Sequence, residues 1–361
     1  MPNCRVLIVD DSTVYRSQIR AALEGVPGIE VVGFASNGRL ACEVLKGKQV
    51  DLITLDMEMP EMDGLATLAE LKRLGIGAKV IVFSSQTKSG AENTMAALRL
   101  GAVDFIAKPS LDPKAGSPAE MIRALLAPKI QQFGAAFAGL APPLAAKAAP
   151  ALATAGDGYA KINWRTFSPA IVTIASSTGG PAALEALFAM VRGPLACPIL
   201  IAQHMPPVFT ATLAERLGRA SGLEIAEAKP GEALVAGRVY MAPGDWHLKI
   251  GAGGKNALLD QGPARGSVRP AADHLFETAA AAYGNRTLGI VLTGMGADGR
   301  DGSLAIKRAG GAVLIQSRET CVVFGMPGAV AEARAFDEEL NLAAIAARLN
   351  ELRLCRLAEA A

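Results

Sequence analysis

Cysteine is scarce and scattered in these 361 residues: five, at Cys4, Cys42, Cys197, Cys321 and Cys355. An odd, dispersed set builds neither a disulfide framework nor a zinc knuckle, and it suits a reducing compartment. Charge of one sign is lacking as well. Lys and Arg number 36 against 34 Asp and Glu, a formal net charge of +2, and no like-charged run exceeds a few residues. That balance lacks the electrostatic footprint of a nucleic-acid or anionic-membrane binder. Long apolar runs are missing too: the blandest stretch, 133–155, is Ala-rich but holds three prolines and Lys147, which does not suit a bilayer span. The first residues, Met-Pro-Asn-Cys-Arg followed by four apolar residues (Val6–Val9) and two Asp, show no signal-peptide pattern. The expectation is a cytoplasmic protein without a nucleic-acid partner or direct membrane insertion. Histidine is the rarest titratable type, with three copies, so candidates for a base near neutral pH are few.

What is present is apolar: 51% of the chain, against 19% charged, ample for globular cores. At roughly 150 residues per domain the length predicts two or three domains. Residues 1–110 alternate short apolar runs (Arg5–Val9, Val31–Ala35, Leu52–Leu55, Lys79–Phe83, Val103–Ala107) with stretches of three- and four-residue apolar spacing. Strands apolar throughout, with helices between them, predict a doubly wound parallel sheet covered on both faces. A helix is expected over Pro118–Phe133. From Gly134 to about Tyr159 the chain is rich in Ala, Pro and Gly, and Pro142-Pro143 would break a helix, so a linker is expected. A second α/β pattern starts at Ala170, with strands at Ala170–Ala175, Pro198–Ala202, Arg238–Ala242, Thr287–Leu292 and Ala312–Gln316. His247–Ile250 and Asn256–Asp260 form an expected small hairpin. The division expected is a first domain over 1–125, a linker over 126–165 and a second domain over 166–356.

Four chemically matched side chains fall at successive strand ends of the first domain. Asp10 and Asp11 end the first strand, Asp56 the third, and Lys108 follows the fifth. Open α/β sheets place their sites at that edge. Crowded carboxylates call for a cation, and hard oxygen ligands suit Mg²⁺. A carboxylate beside Mg²⁺ and Lys can attack a phosphoryl group, and Ser84, ending the fourth strand, can donate to it.

The second domain repeats the strand-end logic with other chemistry. Ala170–Ala175 runs into Ser176-Ser177-Thr178-Gly179-Gly180-Pro181, His204 follows the second strand in Q-H-M-P-P, and Thr287–Leu292 leads to Thr293-Gly294-Met295-Gly296-Ala297-Asp298-Gly299. Ser, His and Asp at three strand ends of one sheet meet the positional requirement for nucleophile, base and orienting acid. A serine at a helix N-terminus also has backbone N–H groups nearby for an oxyanion, at the Thr178-Gly179 turn. A turn or phosphate loop at Ser176–Gly180, a buried polar His204 and a helix-capping Asp298 remain the alternative. The order Ser…His…Asp, without G-x-S-x-G, argues against an ordinary lipase.

Two resemblances go further. V-D-D-S, L-D-M-E-M-P-E-M-D-G, F-S-S and K-P, over about residues 4–125, resemble the receiver domain of two-component response regulators. This implies a flavodoxin-like five-stranded parallel sheet, Asp56 as phospho-acceptor, Mg²⁺ held by Asp11, Asp56 and the backbone carbonyl of Glu58 with Asp10 acting through water, Phe105 as aromatic switch, and a sensor histidine kinase as donor. S-T-G-G-P, A-Q-H-M-P-P-x-F-T, Y-M-A-P-G-D-x-H-L and L-T-G-M-G-A-D-G resemble the catalytic domain of chemotaxis protein-glutamate methylesterases. This implies a mostly parallel α/β sheet with a small antiparallel hairpin, Ser177 as nucleophile, His204 as general base and Asp298 as its orienter. Thr178, Gly179 and Met295 are then the oxyanion and turn residues, and no cofactor is expected in this domain. The implied activity is phosphorylation-activated hydrolysis of glutamate methyl esters on chemoreceptors, often with glutamine deamidation. The alternative is a response regulator whose output domain only binds a partner.

Two departures from the usual motif stand out. Ser176 replaces the common Gly-Ala-Ser lead-in with a second hydroxyl, so its exchange for Ala is expected to cost under about 1 kcal/mol. Arg269-Pro270-Ala271-Ala272-Asp273 stands where R-P-S-V-D is common. His247 is expected to cap the hairpin, and Asp273-His274 to be a surface pair. Asn163-Trp164-Arg165-Thr166-Phe167 resembles the N-W-x-x-F tail peptides of some chemoreceptors, and the plainer expectation is an aromatic lead-in to the first catalytic strand.

Overall fold

The structure is a computed structural model and describes residues 3–109, 117–137, 159, 162–193 and 196–359. The chain divides into two compact units, Met1–Ala148 and Ala149–Ala361.

The first unit runs β1 (Cys4–Val9), α1 (Thr13–Leu23), β2 (Ile29–Ala35), α2 (Gly38–Gly47), β3 (Leu52–Asp56), α3 (Gly64–Arg73), β4 (Lys79–Ser84), α4 (Lys88–Leu100), β5 (Asp104–Ala107) and α5 (Pro118–Phe137). Its sheet has order β2-β1-β3-β4-β5, and every pairing is parallel. The central strands are apolar on both faces because helices cover both. Helix starts follow polar side chains: Ser12, Asn37, Asp63 and Thr87 each accept a hydrogen bond from an amide of the first turn. Helix α5 extends into the stretch expected as linker. Leu126, Ile130 and Phe133 are buried, so packing carries the helix through Pro128. Pro142 and Pro143 lie outside the described residues.

The second unit continues with β6 (Ile171–Ser176), α6 (Gly180–Met190), β7 (Ile199–Gln203), α7 (Phe209–Ser221), β8 (Glu224–Glu227), β9 (Arg238–Met241), β10 (His247–Ile250), β11 (Ala257–Asp260), α8 (Ala272–Tyr283), β12 (Thr287–Val291), α9 (Arg300–Arg308), β13 (Ala312–Gln316), α10 (Gly325–Glu332), β14 (Glu338–Leu340) and α11 (Leu342–Glu359). Seven strands form a parallel sheet of order β14-β13-β12-β6-β7-β9-β8, and β10-β11 is an antiparallel pair. The chain leaves β6 toward β7 on one side and returns at β12 on the other, so β6 marks the switch point where open α/β sheets hold their sites. Strands β8 and β14 are not in the sequence expectation: Glu-Ile-Ala-Glu and Glu-Glu-Leu are short and acidic, as edge strands tend to be. Trp164 stacks edge-on against Phe167, with Arg348 over its ring, an aromatic lead-in to β6. Among the described residues no helix is long and apolar enough to cross a membrane.

Candidate active site

Strands β12, β6 and β7 are neighbours, and the segment that follows each carries one member of the expected triad: Asp298 in the loop after β12, Ser177 directly after β6 and His204 directly after β7. His204 Nε2 lies 2.7 Å from Asp298 Oδ2. The carboxylate also accepts from the amides of Ala272 (2.6 Å), Asp273 (3.0 Å) and Gly299 (3.0 Å). Burial pushes the Asp298 carboxyl up, but the bond from His204, its charge and the Ala272 and Asp273 amides outweigh it and hold the carboxyl below its usual range. Asp298 is thus an anion locked in place, and it leaves His204 Nδ1 as the nitrogen available to a hydroxyl.

Ser176 and Ser177 occupy opposite environments. Ser176 is fully buried, and its hydroxyl donates to Gln203 Oε1 at 2.6 Å. Ser177 is half-buried at the turn, its amide donating to Thr293 O and its carbonyl accepting from Gly180 N and Gln203 Nε2. A Cβ at Gly294 would stand 2.9 Å from the Cβ of Ser177, so the β12 loop packs directly on the serine. Among the described residues no hydrogen bond joins Ser177 Oγ to His204. Thr178 is buried, Gly179 takes the left-handed conformation (φ 76°), and a Cβ there would sit 2.6 Å from Val322. Met295 lines a cavity of about 250 Å³ beside His204 and Asp298, with Arg265 and Arg300 on its wall.

Two expectations are corrected here. Asp273 is 5% exposed, not a surface residue: its Oδ1 accepts from Gly299 N (3.0 Å) and Gly302 N (2.7 Å), tying the start of α9 to the start of α8. Burial pushes its carboxyl up to about 6, with Asp298 adding to the effect and the Gly302 amide and Arg265 opposing it. His247 does not cap the hairpin; it is fully buried with both ring nitrogens bonded to backbone. Arg269 binds Asp245 and the carbonyls of Gln261 and Gly262. Gln203 escaped the sequence reading, although a lone amide closing the apolar strand Ile-Leu-Ile-Ala-Gln was a legible signal.

In the first unit the four expected residues converge. Ligand oxygens of Asp10, Asp11 and Asp56 lie within 4.8 Å of one another. Lys108 Nζ is 2.7 Å from Asp56 Oδ2 and 3.2 Å from Asp10 Oδ2. Burial, then the charge of Asp56, pushes Asp10 up to about 6 despite Lys108. Burial raises Asp56 as well, against the bond and charge of Lys108. Three carboxylates with one ammonium leave surplus negative charge, and the buried Asp10 Oδ2 and Asp56 Oδ2 have no hydrogen-bond donor aimed at them beyond that ion contact. The donor set fits a hard divalent cation such as Mg²⁺. Glu58 follows closely, its amide donating to Asp56 Oδ1 at 3.3 Å. Phe105 is buried. The Ser84 hydroxyl is committed elsewhere, donating to Gly90 O in the first turn of α4 at 2.9 Å.

The sequence pattern of the CheB methylesterase family matches residues 172–349, and that of the response regulator receiver domain residues 6–115. A protein-glutamate methylesterase/protein-glutamine glutaminase of Caulobacter vibrioides is 45% identical over 332 residues, spanning 91% of this chain and 93% of that protein. One from a Nocardioides species is 41% identical over 344 residues, 95% and 93% of the two chains. The crystal structure of the Thermotoga maritima CheB methylesterase catalytic domain aligns with a TM-score of 0.50 at 44% identity, covering 51% of this chain and 99% of that one. The chain therefore belongs to the CheB family of protein-glutamate methylesterases/protein-glutamine glutaminases that carry a response regulator receiver domain.

Proposed function

We propose that this chain is a cytoplasmic serine esterase that hydrolyses glutamate methyl esters, and deamidates glutamines, on chemoreceptors, and that phosphorylation of Asp56 by a sensor histidine kinase raises its activity. The observation that carries the reading is the half-buried His204–Asp298 pair, one strand on either side of a serine whose neighbour's hydroxyl is already committed. Ser177 Oγ gives its proton to His204 Nδ1 and attacks the ester carbonyl. Asp298 steadies the imidazolium. The tetrahedral oxyanion falls to backbone N–H groups of the Thr178-Gly179 turn and of Met295. His204 returns the proton to the leaving methoxide, or to the amide nitrogen, releasing methanol or ammonia. Water then attacks the acyl-Ser177 with His204 again as base; the acyl C–Oγ bond breaks, His204 passes the proton to Ser177 Oγ, and the glutamate product departs as its carboxylate. A module that only binds a partner has no need of an aspartate held by three amides against a histidine.

In the first unit Asp10, Asp11 and Asp56, with the Glu58 carbonyl, would hold Mg²⁺, which when bound neutralises charge on phosphoryl oxygens. Asp56 accepts the phosphoryl group, Lys108 pairs with it, and Ser84 turns from Gly90 to donate to it while Phe105 follows as the switch.

The test is methanol release from methylated receptor membranes of the same organism, with and without a phosphodonor. Release that rises with the phosphodonor supports the reading. No release from either sample rejects it in favour of a binding module.

A further inference from the structure

The mechanism leaves one fully buried imidazole without a task. His247 opens β10, and its two ring nitrogens meet backbone groups of opposite polarity. Nδ1 lies 3.1 Å from the amide of Ala271, which can only donate; Nε2 lies 3.1 Å from the carbonyl of Pro263, which can only accept. Together they demand a neutral ring with bare Nδ1 and a proton on Nε2. The ring of His274 packs edge-on at 4.6 Å and 76°, which fixes the plane.

Ala271 is the N-cap of α8 and offers no side-chain cap. The first amides of that helix turn outward instead: Ala271 N to His247, Ala272 N and Asp273 N to Asp298. A continuous line of hydrogen bonds and backbone thus runs from His247 through Ala271 and Ala272 to Asp298 and on to His204. We propose that His247 is a positioning residue for the triad, holding the Ala271–Asp273 amides in the geometry that keeps Asp298 aimed at His204. This rests on the serine-esterase reading of Ser177, His204 and Asp298.

The full-length H247N and H247Q variants separate positioning from bulk packing. Asn places an oxygen near Nδ1 and can accept from Ala271. Gln reaches the place of Nε2 and can donate to Pro263 but leaves the Ala271 amide without its acceptor. Each loses one of two buried bonds, and Asn leaves the larger void, so a merely structural role costs H247N at least as much as H247Q. With kcat counted per folded molecule in the methanol-release assay, H247N should stay within about threefold of the native chain, while H247Q falls about 100-fold with KM unchanged. Equal kcat in all three, or equal losses in both variants, overturns the proposal. Independently of any variant folding, long-range ¹H–¹⁵N correlation on the unaltered chain should show His247 bare at Nδ1 and protonated at Nε2; the opposite tautomer overturns it outright. A native chain that releases no methanol rejects the esterase reading instead, and the tautomer then decides whether the hydrogen-bond line exists.

Discussion

Exchanging Ser176 and Ser177 for alanine, one at a time, should separate stability from turnover. The Ser176 hydroxyl is fully buried and donates to Gln203 Oε1 at 2.6 Å. Gln203 cannot turn to find another donor, because its Nε2 is held by the carbonyls of Ser177 (3.0 Å) and His204 (3.3 Å). Ser176→Ala therefore strands a buried acceptor, at a cost of about 1–3 kcal/mol. This exceeds the figure expected from sequence, where the partner was not visible. For a unit of this size the thermal midpoint should fall by roughly 2–12 °C, with kcat little changed. Ser177→Ala should do the reverse: Ser177 is half-buried and its hydroxyl has no bond to His204, so stability should move by less than about 0.5 kcal/mol. Without an acyl-enzyme, kcat should drop by roughly 10³-fold or more. Calorimetry and methanol release on the two variants, with labelling by a serine-directed reagent, make the comparison. A dead Ser176→Ala beside an active Ser177→Ala would refute the assignment and shift the nucleophile by one residue.

Asp298→Asn keeps the shape but replaces one oxygen by a donor facing His204 and the α8 amides, so kcat should fall by about 10³–10⁴-fold while KM holds, in the same assay. Asp56→Asn should abolish labelling by acetyl phosphate and Mg²⁺; undiminished base-labile labelling would place the phosphoryl group elsewhere. Asp10 is raised to about 6 by burial and by Asp56, above its ordinary 3.8, so its ionisation opposes folding above about pH 6, and the opposition vanishes below about pH 4, where folded and unfolded chains are both protonated. Asp10→Asn, whose oxygen can still accept from Ser12 N, should raise the first unit's melting point at pH 7 and lose that advantage near pH 4, as scanning calorimetry across pH would show. Breaking the Lys307–Asp337 pair, whose side chains are almost wholly buried 2.6 Å apart, by Lys307→Met should cost about 3–5 kcal/mol, read by denaturant titration.

Much of this was legible because parallel strands buried on both faces write themselves as apolar runs. Leu-Ile-Thr-Leu-Asp and Ile-Val-Thr-Ile-Ala-Ser announce β3 and β6 together with the polar residue that ends each. Once those strands are placed, the edge rule brings Asp10, Asp56 and Lys108 together, and likewise His204 and Asp298, with Ser177 after the strand between theirs. What escaped has two physical origins. Edge strands β8 and β14 carry glutamates where an interior strand would carry valine, so no apolar run marks them. His247 and Asp273 act through backbone groups 16 to 29 residues away along the chain, and a backbone group has no identity that sequence can display. Ser84 shows a third kind of gap: its position was readable, but its rotamer answers to Gly90, a local acceptor.

The three amides around Asp298 have a bearing on how this protein can drift. Because the donors at Ala272, Asp273 and Gly299 belong to the main chain, the 271–272 side chains bear on Asp298 only through packing, and since both alanines are fully buried that packing admits small residues whose polar atoms, if any, find a partner. That is why an Ala-Ala pair can stand where Ser-Val is common without touching the base. Proline is barred on principle at both 271 and 272: it fits a helix start but brings no N–H for His247 or Asp298. Variation among relatives at these two positions should therefore be narrow in size, free of charge and empty of proline.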